Sequence, residues 1–311
     1  MPTRLQRFRF EFTAMGSPCE FMLYAPEAMQ ANILGSQLRA ELERLEQRYS
    51  RYRPDSALSV LNAVAAAGGE TDVDEEMAAL LHYADTCFKE SGGLFDVTSG
   101  VLRSIWKLRE GVVPSREAIA ALLPRIGWQR VRWRRPHIGF EPGMELDFGG
   151  IVKEYAADRL ATLCEEGGCR HGLINLGGDI RVVGPHPDGK PWSIGIKHPR
   201  AGHGSVTAGD ASVGSLRLTH GAVTTSGDYE RCLVVGGRRY GHVFNPRTGW
   251  PVSHLASVTV IADLCVVAGS ASTIAMLMEK KGPAWLARQG VRHLWIDTEG
   301  RTGGSGQPGH A

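Results

Sequence analysis

No stretch of this 311-residue sequence approaches the roughly 18 consecutive apolar residues that mark a membrane span, so no segment reads as a transmembrane helix. Charge of one sign is missing too. Lys and Arg number 35 against 33 Asp and Glu, a net charge of +2, which gives no electrostatic case for nucleic acid as the main partner. The arginines between Arg130 and Arg135 read instead as a solvated strand face. Cysteine is sparse: Cys19, Cys87, Cys164, Cys169, Cys232 and Cys265 are scattered, without a CxxC pair or a histidine cluster, which argues against structural zinc and against a disulfide framework. The opening MPTRLQRFRFEF has neither the apolar run of a signal peptide nor a lipobox cysteine, and it alternates like a strand. The expected compartment is therefore the cytoplasm.

An apolar share of 42% and a charged share of 22% are those of a globular protein with a real core. The expectation is one domain over residues 1–302, or two lobes sharing a core, followed by a Gly-rich disordered tail over 303–311. Leu34, Leu38, Leu42, Leu45 and Tyr49 recur at helical spacing, as do Met77, Leu80, Leu81, Ala84 and Phe88, the latter stopped by Gly92-Gly93. Glu145 to Phe148 reads as a short strand running through Gly149-Gly150 into a helix from Ile151 to about Glu165. Short β-like runs follow at 172–176, 180–183, 192–197, 216–219, 233–235, 240–244 and 257–261, with Gly236-Gly237 as a hairpin turn. A helix carrying Ile274, Leu277 and Met278 and a last strand at 293–296 complete an α+β pattern with a largely antiparallel core.

Four segments carry chemistry. Asp147-Phe148-Gly149-Gly150-Ile151-Val152-Lys153 sets two glycines at a helix start, where backbone N–H groups and the helix dipole favour an anion such as a diphosphate. A lysine in a first turn is mildly unfavourable unless a ligand charge offsets it, but the same residues also read as a glycine turn with a solvated lysine. Asn175-Leu176-Gly177-Gly178-Asp179 fits close approach by a cofactor or a tight turn, and Thr224-Thr225-Ser226-Gly227-Asp228-Tyr229 fits a phosphate lining, with a plain turn the commoner reading. His242 stands at the end of a strand before the turn Asn245-Pro246-Arg247-Thr248-Gly249, a place where loops display catalytic groups and where structural histidines also occur.

Taken in order, Ala14-Met15-Gly16-Ser17, Ser50-Arg51-Tyr52, Gly93 to Thr98, Asp147 to Asp158, Asn175 to Asp179, Thr225 to Tyr229 and His242 to Gly249 resemble the blocks of the ApbE family of FAD:protein FMN transferases, over roughly residues 10–285. The resemblance implies an α+β, T-fold-like architecture with a largely antiparallel mixed sheet and flanking helices. It implies FAD contacts at Met15, Tyr52, Leu94, Phe95, Asp96, Asp147, Lys153, Gly178, Ser226 and Val243, and a catalytic role for His242. It further implies magnesium held by the Gly150 carbonyl and by side chains in the Gly269 to Thr273 segment, here Ser272 and Thr273.

The implied reaction moves FMN from FAD to a Ser or Thr hydroxyl of an acceptor flavoprotein and releases AMP. The alternatives are an FAD pyrophosphatase giving FMN and AMP, and a non-catalytic FAD-binding protein. Two positions depart from the family pattern: Gly269 stands where aspartate is usual, and Glu154 follows Lys153 where glycine is common. With only neutral donors left at the metal position, the sequence predicts weak magnesium affinity, slow or absent transfer, and restoration of both by Gly269→Asp.

Overall fold

The computed structural model describes residues 4–200, 212–229 and 232–305. The strands are β1 (Gln6–Ala14), β2 (Ser17–Ala25), β3 (Glu70–Asp72), β4 (Arg132–Arg134), β5 (His137–Gly139), β6 (Gly172–Leu176), β7 (Asp179–Gly184), β8 (Trp192–Lys197), β9 (Ser212–Leu218), β10 (Gly221–Gly227), β11 (Leu233–Val235), β12 (Arg238–Tyr240), β13 (Leu255–Ala262), β14 (Arg292–Asp297) and β15 (Thr302–Gly304). The helices are α1 (Ala28–Tyr49), α2 (Ala57–Ala67), α3 (Glu75–Glu90), α4 (Arg116–Leu122), α5 (Val152–Glu166), α6 (Cys265–Leu277) and α7 (Gly282–Arg288).

Eight strands make one sheet in the order β1-β2-β6-β7-β10-β13-β14-β15, and every neighbouring pair is antiparallel. Helices cover one face. The stripe Leu34, Leu38, Leu42, Leu45 and Tyr49 of α1, with Ala156, Ala157 and Leu160 of α5 and Ile274 and Ala275 of α6, joins the largest buried cluster, as helical spacing dictates. The hairpin β8–β9 closes the other face, its Trp192, Ile194, Ile196, Leu216 and Leu218 packing on Leu173, Val182, Val223 and Leu294 of the sheet. With both faces covered, β13 is buried along six consecutive residues and shows no alternation.

Several expectations need correction. Residues 145–148 form no strand: the segment is extended but bonds to the Asn62 side chain through both polar groups of Leu146, and to Val97 through the Asp147 N–H. The Thr224 to Tyr229 turn is largely strand, because β10 lies mid-sheet and the ladder that pairs Ala222 to Gly227 with β13 outweighs the turn preference of Thr, Ser and Gly. The strand expected over 240–244 ends at Tyr240, leaving His242 in the following loop. Gly303 and Gly304, expected in the tail, pair with Trp295 and Leu294; the rest of that expectation, residues 306–311, lies outside the described residues. An entire helix, α2, goes unannounced by periodicity, although the Ser56 side chain caps its start and Gly68, at φ 72°, its end.

Candidate active site

One cleft opens where the β1–β2 turn, the end of β10, the first turn of α5, the middle of α6 and the loops after α3 and β12 meet, and every residue nominated from the sequence except Tyr52 and Gly178 lines it. Tyr52 stands 82% exposed with the Arg51 guanidinium over its ring. Gly178 occupies the β6–β7 turn, where its N–H donates to the Asn175 side chain at 2.8 Å, and its neighbour Asp179 reaches the cleft instead.

Met15 lies in the two-residue turn that closes Ala14 against Ser17. Its φ of 51°, followed by 69° at Gly16, is the left-handed pair that a tight hairpin requires. A non-glycine residue held there marks a constrained position at the cleft wall. Leu94 and Phe95 form the wall beside it, but the Asp96 carboxylate faces inward. It accepts hydrogen bonds from Thr98 N–H at 2.8 Å, Thr98 hydroxyl at 2.6 Å and Trp128 N–H at 3.0 Å, so its chemistry is spent on fixing the loop.

Asp147 is spent in the same way. Its carboxylate takes Arg51 at 2.9 Å, Arg103 at 2.5 Å and the Gly149 N–H at 2.8 Å. Burial pushes this carboxyl up, yet Arg103 and Arg51 outweigh it and hold the group below the usual carboxylate range. The result is a rigid entry into α5, with Gly150 at φ 85° and no side chain capping the helix start. Uncapped N–H groups and paired glycines at a helix start form an anion site, and Arg103 and Lys153 both border it. Lys153 also pairs with Asp179 at 2.7 Å.

Helices α5 and α6 run antiparallel with matched turns, and three rungs fix their register. Asp158 accepts the Cys265 and Val266 N–H groups at 2.8 and 2.9 Å, capping α6. One turn back along α5 and one turn on along α6, Glu154 faces Gly269, where a Cβ would come within 2.5 Å of the Glu154 Cγ. One further turn brings Gly150 opposite Thr273, whose hydroxyl lies 3.5 Å from where a Gly150 Cβ would stand. Ser226 joins this end from β10, its hydroxyl 2.8 Å from that of Ser272 and 3.0 Å from that of Thr273.

Beside these hydroxyls stands an acid that the sequence reading left out of the donor set, Glu154. Its side chain is buried, one oxygen has no hydrogen-bond partner among the described residues, and burial together with the Asp179 charge pushes it up to about 7. Hydroxyls, a backbone carbonyl and carboxylates are the donor types of a hard cation such as magnesium, which completes its shell with phosphate and water. Among the described residues no three His, Cys, Asp or Glu side chains converge as a closed metal cage. The donor set thus fits an ion shared with a bound phosphate.

His242 sits in a loop held at both ends. Val243 accepts the Val252 N–H at 2.9 Å, Asn245 donates to Trp250 at 2.9 Å, and the Trp106 indole, stacked on Phe244 with ring centroids 5.5 Å apart, donates to the Gly249 carbonyl at 2.8 Å. Arg103 and Asp179 are cleft residues that the sequence did not single out. Asp179 lay inside a recognised block; Arg103 carried no local signal, being placed by its pairing with Asp147 from 44 positions away.

Known proteins with this fold and cleft give the class first. The structure superposes on the ApbE protein of Thermotoga maritima with a TM-score of 0.87, at 28% identity over 97% of each chain. It matches the flavinyl transferase ApbE of Pseudomonas stutzeri, apo form, with a TM-score of 0.84, at 28% identity over 97% of this chain and 96% of that one. The molecule is a transferase enzyme of α+β architecture. The ApbE family profile matches residues 15–295, and the chain belongs to the ApbE family. Among curated relatives, the FAD:protein FMN transferase of Escherichia coli K12 is 29% identical over 88% of this chain and 79% of its own. That of Klebsiella pneumoniae is 30% identical over 82% and 77%.

Proposed function

We propose that the protein transfers FMN from FAD to a Ser or Thr hydroxyl of an acceptor flavoprotein and releases AMP. The observation that carries this reading is the convergence of residues from six separate blocks of sequence on one cleft around an uncapped, glycine-rich helix start. The diphosphate of FAD belongs at that start, against Gly149 and Gly150, with Arg103 and Lys153 supplying positive charge. Leu94, Phe95, Met15 and Val243 offer the apolar surface for the flavin. The acceptor hydroxyl oxygen attacks the FMN phosphorus, the diphosphate bond to AMP breaks, and the hydroxyl proton passes to His242, the base on the anchored loop. When bound, magnesium neutralises charge on the diphosphate; the Gly150 carbonyl and the Ser272 and Thr273 hydroxyls are residues that would hold it. The glycine at 269, which favoured a non-catalytic FAD binder, loses that weight once Glu154 is seen to face it.

The test is incubation of the protein with FAD, magnesium and a candidate flavoprotein, followed by mass spectrometry of the acceptor. Covalent FMN on a Ser or Thr together with free AMP is expected; FMN and AMP released with no modified acceptor would mean hydrolysis instead. His242→Ala should slow transfer by about 10²- to 10⁴-fold while FAD affinity stays within a few fold. Equal loss of both would make His242 a binding residue.

A further inference from the structure

The other buried and half-buried acids in and around the site each have a cation or backbone N–H groups to answer them, Asp96 those of Thr98 and Trp128. Asp147 has Arg51 and Arg103, Asp158 has two N–H groups of α6 and Arg181, Asp179 has Lys153, and Asp228 has Arg200. Glu154 is 6% exposed, and its Oε2 has no hydrogen-bond partner among the described residues. Leaving a buried carboxylate so placed costs several kcal/mol unless something else binds it. The helix register places it between the Asp158 cap and the Gly150–Thr273 rung, in the cleft that Ser272 and Thr273 also line.

The same register explains the glycine at 269. A side chain there would put its Cβ 2.5 Å from the Glu154 Cγ and 3.1 Å from its Oε1, so a side chain on α6 and Glu154 on α5 exclude each other. Glutamate reaches across the helix pair from the α5 side, its carboxylate lying where a side chain at position 269 would stand.

We propose that Glu154 is the anionic side-chain ligand for a divalent cation in this cleft, occupying from α5 the space that Gly269 leaves open on α6. The two departures from the family pattern are then one change: the acid has moved to the facing helix. This rests on the cation-assisted transfer read above.

The test uses Mn²⁺ in place of magnesium, with free Mn²⁺ followed by electron paramagnetic resonance in the presence of FAD. Glu154→Gln should weaken Mn²⁺ binding at least tenfold, about 1.4 kcal/mol, while FAD affinity without metal stays within twofold. The exchange double variant Glu154→Gly with Gly269→Asp should recover binding to within a few fold of native, whereas Gly269→Asp alone should not strengthen it. Native-like Mn²⁺ affinity in Glu154→Gln overturns the proposal. If that variant does not fold, the double variant decides, and weak binding there overturns it. Native protein that binds FAD but takes up no Mn²⁺ overturns the ligand assignment alone; native protein that binds no FAD overturns the transfer reading as well.

Discussion

Asp147 and Glu154 stand seven positions apart in one block of sequence, the first half-buried and the second buried, and the molecule treats them in opposite ways. Asp147, ahead of α5, is held by two arginines and a backbone N–H, and its carboxyl is kept below the usual range. Glu154, in the first turn, keeps an unbonded oxygen and is pushed up to about 7, burial being the larger cause and Asp179 the next. An acid that builds a site is satisfied by the protein itself. An acid that serves a ligand is left short of partners until the ligand arrives.

Removing the two groups should therefore have unlike consequences. Asp147→Ala should be the most damaging, because it strands the partly buried Arg103 guanidinium, leaves Arg51 with Glu145 alone and frees the turn into α5. A loss of about 3 kcal/mol is expected, lowering the melting temperature by about 6 °C at this chain length. A fall under 2 °C would mean that the arginines find water easily and that the turn does not depend on them.

A smaller effect is expected at the facing glycine. Gly269→Ala forces a Cβ against Glu154, an overpacking cost of about 1–3 kcal/mol, partly offset by about 1 kcal/mol of helix propensity. In a Glu154→Ala background the clash is gone and only the propensity remains, so the same substitution should reverse sign and stabilise. Additive effects in the double-mutant cycle would show that the two residues do not meet.

The smallest effect should come from Glu154→Gln without ligands. Nothing is bonded to its free oxygen, so urea midpoints should shift by less than about 1 kcal/mol, in either direction. A loss comparable to that of Asp147→Ala would make Glu154 a structural acid and erase the contrast.

Much of this was legible in the chain, and the illegible part has a common physical cause. Short apolar runs located β6, β8 and β11 to the residue; β8 alternates because one of its faces looks into a core, whereas β6 is buried on both. Helix α2 was invisible because ALSVLNAVAAA has no polar face to set a period; only Ser56 and Gly68 marked its ends. β10 was hidden by turn-forming residues that central pairing overrides. At the site, local motifs nominated residues that line the cleft, and Tyr52, which stands exposed outside it. Neither the pairing of Arg103 with Asp147 nor that of Glu154 with Gly269 has a local signature, since both arise only when distant elements pack. The two departures at 154 and 269 were each visible, but their connection is the helix register.

The most direct test of the central claim, that this cleft is the FAD site, is hydrogen exchange followed by mass spectrometry with and without saturating FAD. Slower exchange is expected in the first turn of α5, at Thr225 to Gly227 and at His242 to Phe244, with the rest of the sheet unchanged. FAD binding that leaves these three segments unaltered, or protects only the opposite side around Leu23, Tyr24 and His171, would contradict it.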